Sequence, residues 1–334
     1  MTDWKAAMAE AITLAQHPSA PRGENPRVGC VVVDARGEIV GRGFHRGAGT
    51  AHAEVVALAV AGDRARGATA VVTLEPCNHT GRTGPCSQAL LDAGITRVVY
   101  AQPDPTAEAA GGARRLAEGG VDVIAGVGEG EAIAINREWT IAVSRNYPFV
   151  TAKCAVSLDG RVAGAGGRRV QLTGRDANIY AHALRARVGA VVVGTGTVLA
   201  DDPELTVRNV PLLAAGPPRR IVVGDRAIPG TMKIMDNAAP TTLVQGHDPL
   251  GVLHQLYREG VRDVLVESGP TLLAAFLRAG LVDELVWFIA GVWLGSGPHA
   301  LPGDSPLNEQ VTVVESRALG QDVLLRATPA RKAA

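Results

Sequence analysis

The chain lacks several features that would suggest nucleic-acid, membrane or disulfide chemistry. Among its 334 residues, 33 basic and 33 acidic side chains cancel, so no overall field attracts nucleic acid or anionic lipid. The longest uncharged apolar run is only Leu285–Leu294, whereas a membrane-spanning helix needs about 20 residues. The N-terminal segment carries acids and a lysine among its apolar positions, so we do not expect it to be a signal peptide. We therefore expect a soluble, cytoplasmic protein that binds neither nucleic acid nor membranes.

Cysteine and aromatic residues are also scarce. Four cysteines are too few for a disulfide framework, so cysteines at motif spacing are better explained as ligands or catalysts. Aromatic residues make up 4% of the chain, so the core must be built from Val, Leu, Ile and Ala. Such a composition favours an α/β architecture, because buried parallel strands are rich in Val and Ile.

Strand and helix patterns alternate along the chain in two blocks. In the first block a hairpin over 28–43 is followed by alternating helices and strands, which predicts a three-layer α/β/α domain. The last helix of this block is predicted over Glu129–Thr140. Arg145–Pro148 is typical of a linker, and a second α/β pattern begins after it. We therefore expect two domains, at residues 1–145 and 146–334.

Three short segments of the first block carry residues suited to a metal. His52 and Cys86 each begin a predicted helix, and Cys77 follows a predicted strand. One imidazole and two thiolates leave a fourth position open for water, as in catalytic zinc sites. Glu54, two residues after His52, can then move protons while zinc lowers the pKa of the water to about 7. His-x-Glu followed by Pro-Cys is the signature of zinc-dependent base deaminases.

The spacing of the cysteines differs from that signature, which has Cys-x-x-Cys. Here the segment NHTGRTGP separates Cys77 from Cys86. His79 lies within it and is an alternative ligand, and simple packing roles for the histidine and cysteines are the other alternative. Cys30 and Cys154 lie in Val-rich and Ala-rich strands and are expected in the core.

Taken together, these segments make the chain resemble a known family, the bifunctional riboflavin-biosynthesis deaminase/reductases RibD/RibG. The resemblance rests on VTLEPCNHTGRTGPC (Val72–Cys86), ENPRVGCVVVD (Glu24–Asp34) and GFHRGAGTAHAEVVAL (Gly43–Leu58). It implies a cytidine-deaminase-like fold, Zn²⁺ on His52, Cys77 and Cys86, and Glu54 as proton donor. It also places Asn25 near the pyrimidine, although a plain turn residue is the alternative there.

The second block offers weaker signals of its own. Glycine-rich turns follow two predicted strands, at Gly194–Thr197 and at Gly269–Thr271, and backbone amides at such turns bind phosphate. A tight turn with no ligand is an equal alternative for each. Arg185, Arg187 and Arg208 are possible phosphate partners, although single arginines are commonly solvated.

The same resemblance extends over TAKCAVSLDGRVA (Thr151–Ala163), GTGTVLADDPELTVR (Gly194–Arg208) and VESGPTLLAAFL (Val266–Leu277). It implies a dihydrofolate-reductase-like α/β domain that uses NADPH to reduce a ribosyl group to ribityl. The residues implied at the cofactor are Ala155, Gln171, Thr197, Asp201, Gly269, Pro270 and Thr271. Those implied at the substrate are Arg169, Arg185, Leu205, Arg208 and Glu267.

Several positions depart from the family pattern. Gln171 and Arg169 stand where the family has Trp and Ser, and Gly189 stands where it has Asp. Glu24 and Val56 replace a Pro and a His in the first block. The pocket of the second domain is therefore either rebuilt or altered in activity.

Three hypotheses follow from the sequence. The first is a bifunctional enzyme that deaminates 2,5-diamino-6-ribosylamino-4(3H)-pyrimidinone 5′-phosphate and then reduces the product with NADPH. The second is a deaminase of a related pyrimidine or purine with an altered or inactive reductase domain. The third is a zinc-stabilised regulatory or RNA-binding module, which neutral charge, few aromatics and an intact Glu54 disfavour. We also expect a homo-oligomer, dimer or tetramer, and Leu285–Leu294 fits either a subunit contact or a core strand.

Overall fold

The computed structural model describes residues 4–20, 23–79, 84–212, 216–301 and 310–330. The chain divides into two compact units, Met1–Arg145 (unit 1) and Asn146–Ala334 (unit 2), each built on its own sheet. None of the helices in the described ranges has the length and apolarity that a membrane crossing requires.

Unit 1 is a five-stranded sheet covered by helices on both faces. Its strands are β1 (Gly29–Val33), β2 (Ile39–Phe44), β3 (Thr69–Leu74), β4 (Arg97–Gln102) and β5 (Asp122–Ala125), in the order β2-β1-β3-β4-β5. Its helices are α1 (Trp4–Ala15), α2 (Ala53–Ala61), α3 (Cys86–Asp92), α4 (Gly112–Glu118), α5 (Glu129–Ile135) and α6 (Arg137–Arg145). The hairpin β1–β2 is antiparallel, whereas β3, β4 and β5 run parallel. Every residue of β1 and β3 is buried, as expected for strands covered on both faces.

Helix α2 lies directly against strand β2, and two glycines make that contact possible. A Cβ at Gly41 would lie 2.2 Å from the carbonyl oxygen of Ala57, and one at Gly43 would lie 2.3 Å from that of Ala53. Any larger side chain would push the helix off the sheet. The close approach therefore fixes where α2 begins, at the end that carries His52 and Glu54.

The single helix predicted over Glu129–Thr140 is wrong. The helix stops at Ile135, and a second one begins at Arg137. Between them Asn136 is buried, and its side chain accepts a hydrogen bond from the backbone N–H of Arg27 at 2.8 Å and donates one to the Arg27 carbonyl at 2.9 Å. Asparagine side chains often form hydrogen bonds with backbone groups in place of regular helical structure. Here the backbone groups belong to Arg27, which is distant in sequence, and the helix is interrupted at Asn136.

Unit 2 has an eight-stranded sheet in the order β12-β13-β11-β6-β10-β7-β8-β9. Its strands are β6 (Phe149–Ser157), β7 (Ala190–Gly194), β8 (Arg219–Val223), β9 (Thr241–Val244), β10 (Asp263–Val266), β11 (Glu284–Ala290), β12 (Val311–Leu319) and β13 (Asp322–Pro329). Its helices are α7 (Arg175–Arg185), α8 (Thr195–Asp201), α9 (Pro249–Arg258) and α10 (Pro270–Arg278). Side chains of α9 and α10 join the core on one face, and those of α7 and α8 join cores on the other. The predicted α/β architecture is thus confirmed in both units.

Three elements of unit 2 escaped the sequence analysis. Helix α8 follows the turn at Gly194, where glycine and threonine are poor helix formers. Strands β12 and β13 form the antiparallel end of the sheet, and most residues of β12 are exposed, so no alternation of buried and exposed positions marks it. The first part of the apolar segment that begins at Leu285 forms a core strand, because β11 lies between β6 and β13 and is largely buried. Beyond the end of this strand at Ala290, Trp293 is exposed.

One fully buried cation holds the far end of this sheet together. The side chain of Arg220, on β8, has no exposure to solvent. Its guanidinium donates to the Thr241 hydroxyl, to the Asp236 carboxylate and to the backbone carbonyls of Glu204, Asp236 and Ala239. A buried charge is tolerated when it is both paired and fully hydrogen-bonded, which is the case here.

Candidate active sites

The three predicted donors of unit 1 come together at the sheet edge where β3 ends. His52 is the residue before α2, Cys86 is the first residue of α3, and Cys77 lies shortly after β3. The His52 Nδ1 atom is 3.2 Å from the Cys86 Sγ and 3.5 Å from the Cys77 Sγ. The three donor atoms lie within 4.8 Å of one another, and within the described ranges they form the group that could hold a metal ion.

These distances fit a zinc ion. Bond lengths of about 2.0–2.3 Å in a tetrahedron place neighbouring donor atoms roughly 3.3–3.8 Å apart. The contacts of 3.2 and 3.5 Å lie just below and within that spacing, so a cation at the centre requires little movement. Both cysteines are buried while His52 is partly exposed, which leaves the fourth direction for water or substrate.

The carboxyl of Glu54 lies in the first turn of α2 beside this group and is buried. Burial, and after it the negative charge of the Cys77 thiolate, raise the pKa of Glu54 to about 7, although the positive charge on His52 opposes them. A pKa near neutrality suits a group that must both accept and donate a proton.

The two thiols behave as a pair that shares one proton. The hydrogen bond with Cys86, followed by that with His52, lowers the pKa of Cys77 to about 4. The same contact with Cys77 raises the pKa of the Cys86 thiol, and burial adds to the rise. The hydrogen bond to Cys77 raises the pKa of His52 in turn. A cation among them would stabilise both thiolates and a neutral imidazole together.

A buried carboxylate that the sequence analysis passed over supports Cys77. Glu75 accepts hydrogen bonds from the backbone N–H groups of Gly111, Ala113 and Asp104, at 3.1, 3.1 and 3.3 Å. At Gly112 a Cβ would lie 1.7 Å from the Pro76 carbonyl oxygen, so the start of α4 touches the segment that carries Cys77. The only sequence feature that could have pointed to this role is the position of Glu75, two residues before the predicted ligand Cys77.

Other predicted residues of unit 1 lie apart from the donor group. His79 is exposed and is not among the residues that gather there. The residues that follow it, 80–83, fall outside the described ranges. Cys30 is fully buried in β1, in agreement with a core role. Asn25 is partly buried in the bend before β1, next to Glu24, whose carbonyl accepts a hydrogen bond from the Trp139 indole at 3.1 Å.

Unit 2 contains a cleft of about 800 Å³, which we call the unit 2 cleft. It opens where β6, β7, β8 and β10 end, and it is lined by residues from Lys153 to Pro298. The sequence-predicted residues in its lining are Ala155, Arg169, Gln171, Arg185, Thr197, Asp201, Leu205, Glu267, Gly269, Pro270 and Thr271. Arg208 is not part of this lining, because its guanidinium is bonded to Glu204 and to the Thr206 hydroxyl.

An ion network lies at the buried end of the unit 2 cleft. Arg185 donates to both carboxylate oxygens of Glu267, at 2.5 and 2.9 Å, and the Lys153 ammonium is 3.4 Å away. Burial raises the pKa of Glu267, but Arg185 and Lys153 outweigh it and lower the pKa to about 2. The carboxylate therefore stays charged at neutral pH. Lys153 was not singled out from the sequence.

The two glycine-rich turns meet in the cleft. The Gly269 backbone N–H donates to the Thr197 hydroxyl at 2.8 Å, and a Cβ at Gly269 would lie 3.1 Å from that oxygen. The neighbouring Ser268 hydroxyl is buried and has no hydrogen-bond partner in the described part of the chain. A glycine backbone with no side chain in the way and an unsatisfied hydroxyl in the cleft fit a dinucleotide, whose polar groups would satisfy that hydroxyl.

Two of the residues expected to depart from the family pattern, Gln171 and Arg169, lie at the open side of the cleft. Gln171 is exposed, and its amide donates to the Thr173 carbonyl at 2.9 Å. Arg169 is exposed and donates to the Asp201 carbonyl at 3.3 Å. Gly189 is not in the lining, and its N–H is bonded to the Asp263 carboxylate at 2.7 Å.

The two units thus define an α/β protein that joins a zinc-deaminase-type site to a dinucleotide-type cleft, and comparisons with known proteins agree. Residues 1–102 match the cytidine and deoxycytidylate deaminase zinc-binding region, and residues 148–325 match the RibD C-terminal domain. The chain is 45% identical to the riboflavin biosynthesis protein RibD of Mycobacterium tuberculosis over 309 residues, which is 90% of each chain.

Solved structures show the same likeness over both units. A structure of Acinetobacter baumannii RibD matches with a TM-score of 0.88 and 36% identity, covering 98% of both chains. A Thermotoga maritima structure matches with a TM-score of 0.84 and 29% identity, covering 98% of this chain and 99% of that one. Its name is diaminohydroxyphosphoribosylaminopyrimidine deaminase/5-amino-6-(5-phosphoribosylamino)uracil reductase.

The chain belongs to the RibD family. It is a bifunctional riboflavin-biosynthesis enzyme with a zinc-binding deaminase domain and an NADPH-dependent reductase domain. The expected deaminase-like and reductase-like fold is confirmed.

Proposed function

We propose that unit 1 deaminates 2,5-diamino-6-ribosylamino-4(3H)-pyrimidinone 5′-phosphate and that unit 2 reduces the ribosyl group of the product to ribityl with NADPH. The observation that carries the proposal is the gathering of His52, Cys77 and Cys86 beside the buried Glu54. The name of the Thermotoga maritima relative, which covers both reactions, supports the order of the two steps.

In unit 1, His52, Cys77 and Cys86 would hold Zn²⁺. Zinc in such a site is a Lewis acid that makes water nucleophilic near neutral pH. Glu54 takes a proton from the attacking water and delivers it to the departing amino group, which leaves as ammonia. Its burial keeps the proton from exchanging freely with solvent during the transfer. Asn25 would orient the pyrimidine.

In unit 2 the proposed cofactor contacts are Ala155, Gln171, Thr197, Asp201 and the Gly269–Thr271 turn, all in the unit 2 cleft. NADPH supplies the hydride, and the protein supplies orientation and charge. The proposed substrate contacts are Arg169, Arg185, Leu205, Arg208 and Glu267. Arg208 would turn from Glu204 towards the 5′-phosphate, because a dianion competes well for a guanidinium whose present partner is half-exposed.

The direct test of the two activities is anaerobic incubation with the diaminopyrimidine ribotide, with and without NADPH, and mass spectrometry of the products. We expect exchange of an amino group for oxygen in both samples and addition of two hydrogens only with NADPH. Deaminated product that is never reduced would contradict the role of unit 2.

Glu54→Gln tests the assignment of the proton carrier. The variant keeps its zinc, because the substitution leaves all three ligands in place, and loses deamination by roughly 10²–10⁴-fold. Metal analysis and product formation measure the two effects on the same sample. Full deamination by this variant would show that Glu54 does not have the assigned role.

One set of observations favours a second candidate function. Gln171 and Arg169 both line the cleft, at positions where the family has Trp and Ser. A reductase unit with altered or absent activity, behind a deaminase of a related pyrimidine or purine, would accommodate these changes. Calorimetric titration with NADPH separates the two candidates. If unit 2 is inactive because it has lost the cofactor site, it shows no binding of NADPH at millimolar concentration.

The assembly and the compartment belong to the same proposal. We expect a dimer or tetramer of identical chains, which light scattering on the purified protein measures.

We also expect a cytoplasmic enzyme, consistent with four free cysteines that remain reduced. Cell fractionation followed by detection of the chain tests this expectation.

A further inference from the structure

The segment Asp202–Asn209 of unit 2, which we call the substrate segment, has a strained backbone. Asp202, Leu205 and Asn209 have positive φ angles of 43°, 51° and 62°. Residues with a Cβ rarely adopt this left-handed conformation, and they keep it only when surrounding contacts enforce it. Leu205 lines the unit 2 cleft, so the strained backbone shapes the cleft wall.

Hydrogen bonds from outside fix the segment at intervals along its length. The Lys233 N–H donates to the Asp202 carboxylate at 2.8 Å. The guanidinium of Arg220 donates to the Glu204 carbonyl at 3.2 Å, and that of Arg185 donates to the Thr206 carbonyl at 3.2 Å. These contacts hold the first two-thirds of the segment.

The contact near the end of the substrate segment differs from the others, because there the backbone of the segment is the hydrogen-bond donor. The backbone N–H of Arg208 donates to the Nδ1 atom of His182 at 3.1 Å. His182 is buried on α7, one turn before Arg185. Burial lowers the pKa of His182, and the charges of Arg185 and Arg208 lower it further, so the imidazole stays neutral and Nδ1 can accept.

We propose that His182 is a positioning residue for the reductase substrate: by accepting the Arg208 N–H it holds the last part of the strained substrate segment, and with it Arg208, in the geometry that binds the ribotide. This proposal rests on the proposed function. His182 is not in the lining of the unit 2 cleft, so it acts through the segment and not on the substrate. Its effect should therefore fall on ribotide binding and spare NADPH.

The matched variants are His182→Asn and His182→Phe. Asparagine places an amide oxygen near the position of Nδ1 and keeps the acceptor, whereas phenylalanine keeps a ring and removes it. We expect His182→Phe to raise the KM for the deaminated ribotide roughly tenfold, the ratio that corresponds to one hydrogen bond. We expect KM for NADPH and the deamination rate of unit 1 to stay unchanged, and His182→Asn to restore the ribotide KM.

Hydrogen exchange without substrate gives a second readout. We expect faster exchange of the amides in the substrate segment in His182→Phe and wild-type exchange in His182→Asn. If His182→Phe does not fold, His182→Gln replaces it, because its longer side chain moves the acceptor away from the Nδ1 position.

Two results would overturn the positioning role: an unchanged ribotide KM in the variant without an acceptor, or an equal rise in the KM for NADPH. Both presuppose a wild-type enzyme that turns the ribotide over. No turnover by the wild type would instead contradict the proposed function, so the two failures are distinguishable.

Discussion

The two candidate sites differ in how they are distributed along the chain and in what they require of each residue. The donor group of unit 1 comes from residues 52–86 and has strict chemistry, because only a few side chains bind zinc. The unit 2 cleft draws its lining from Lys153 to Pro298 and binds through many weak contacts. A site of the first kind depends on each of its few ligands, whereas one of the second kind keeps the form of a cleft with a glutamine at position 171.

The largest effect that this comparison predicts is loss of the metal. Cys86→Ser should lower zinc content well below one per chain and deamination by more than roughly 100-fold, since even outer contacts of a zinc ligand are worth 10–100-fold. Reduction of deaminated ribotide should continue. Metal analysis and the two separate activity assays measure this.

Cys30→Ala is the matched control, because Cys30 is also buried in unit 1 but lies in β1 and outside the donor group. It should keep zinc and deamination. Loss of zinc in this control would mean that the site depends on packing throughout the unit and not on three ligands.

The next effect is at Glu267. Glu267→Gln leaves Arg185 and Lys153 without their carboxylate, and breaking a buried pair costs about 3–5 kcal/mol of folding free energy. Because the folded-state pKa of Glu267 is lowered, to about 2, its stabilisation is present above the unfolded-state pKa and disappears as pH falls towards about 2. The variant should lose that part of the acid dependence in thermal melts.

Glu259→Gln is the control for this prediction, since the Glu259 pair with Arg219 is about one-third exposed. Pairs of this kind contribute about 0–1 kcal/mol. If both variants change stability equally, the buried network has no special role in unit 2.

The smallest predicted effect is at Gln171. Gln171→Trp adds an aromatic surface at the open side of the cleft and should tighten NADPH binding by roughly two- to tenfold, the range of one aromatic contact. Calorimetry measures it, with Gln171→Ala as the control that removes the amide without adding a ring. Weaker binding by the Trp variant would show that the cleft has been rebuilt around glutamine.

Sequence reasoning served unit 1 better for a physical reason. Zinc chemistry limits the donor types, and element ends are marked by local signals such as Pro85 before α3, so residue type and order were enough to name His52, Cys77 and Cys86. The support from Glu75 could not be read in the same way, because its partners Gly111 and Ala113 lie at the start of α4, far along the chain.

In unit 2 the order of strands in the sheet decides which residues come into contact, and local sequence patterns do not predict that order. Lys153 joins Glu267 because β6 lies beside β10, and this neighbour relation appears only in the folded sheet. The contact of His182 with Arg208 likewise joins a helix to a later loop. The resemblance named a third of the residues that line the cleft, but it assigned no role to Ser268 or to the strained backbone of the substrate segment.

Arg220 has a consequence for how this enzyme can change. Every N–H of its guanidinium has an acceptor, on β9, on the loop that precedes it and on the substrate segment. A lysine offers a single ammonium and cannot reach such a spread of oxygens. Residues around the reductase cleft can therefore vary only while Arg220 is kept. Libraries of variants that aim to change the substrate of the reductase should leave position 220 unchanged.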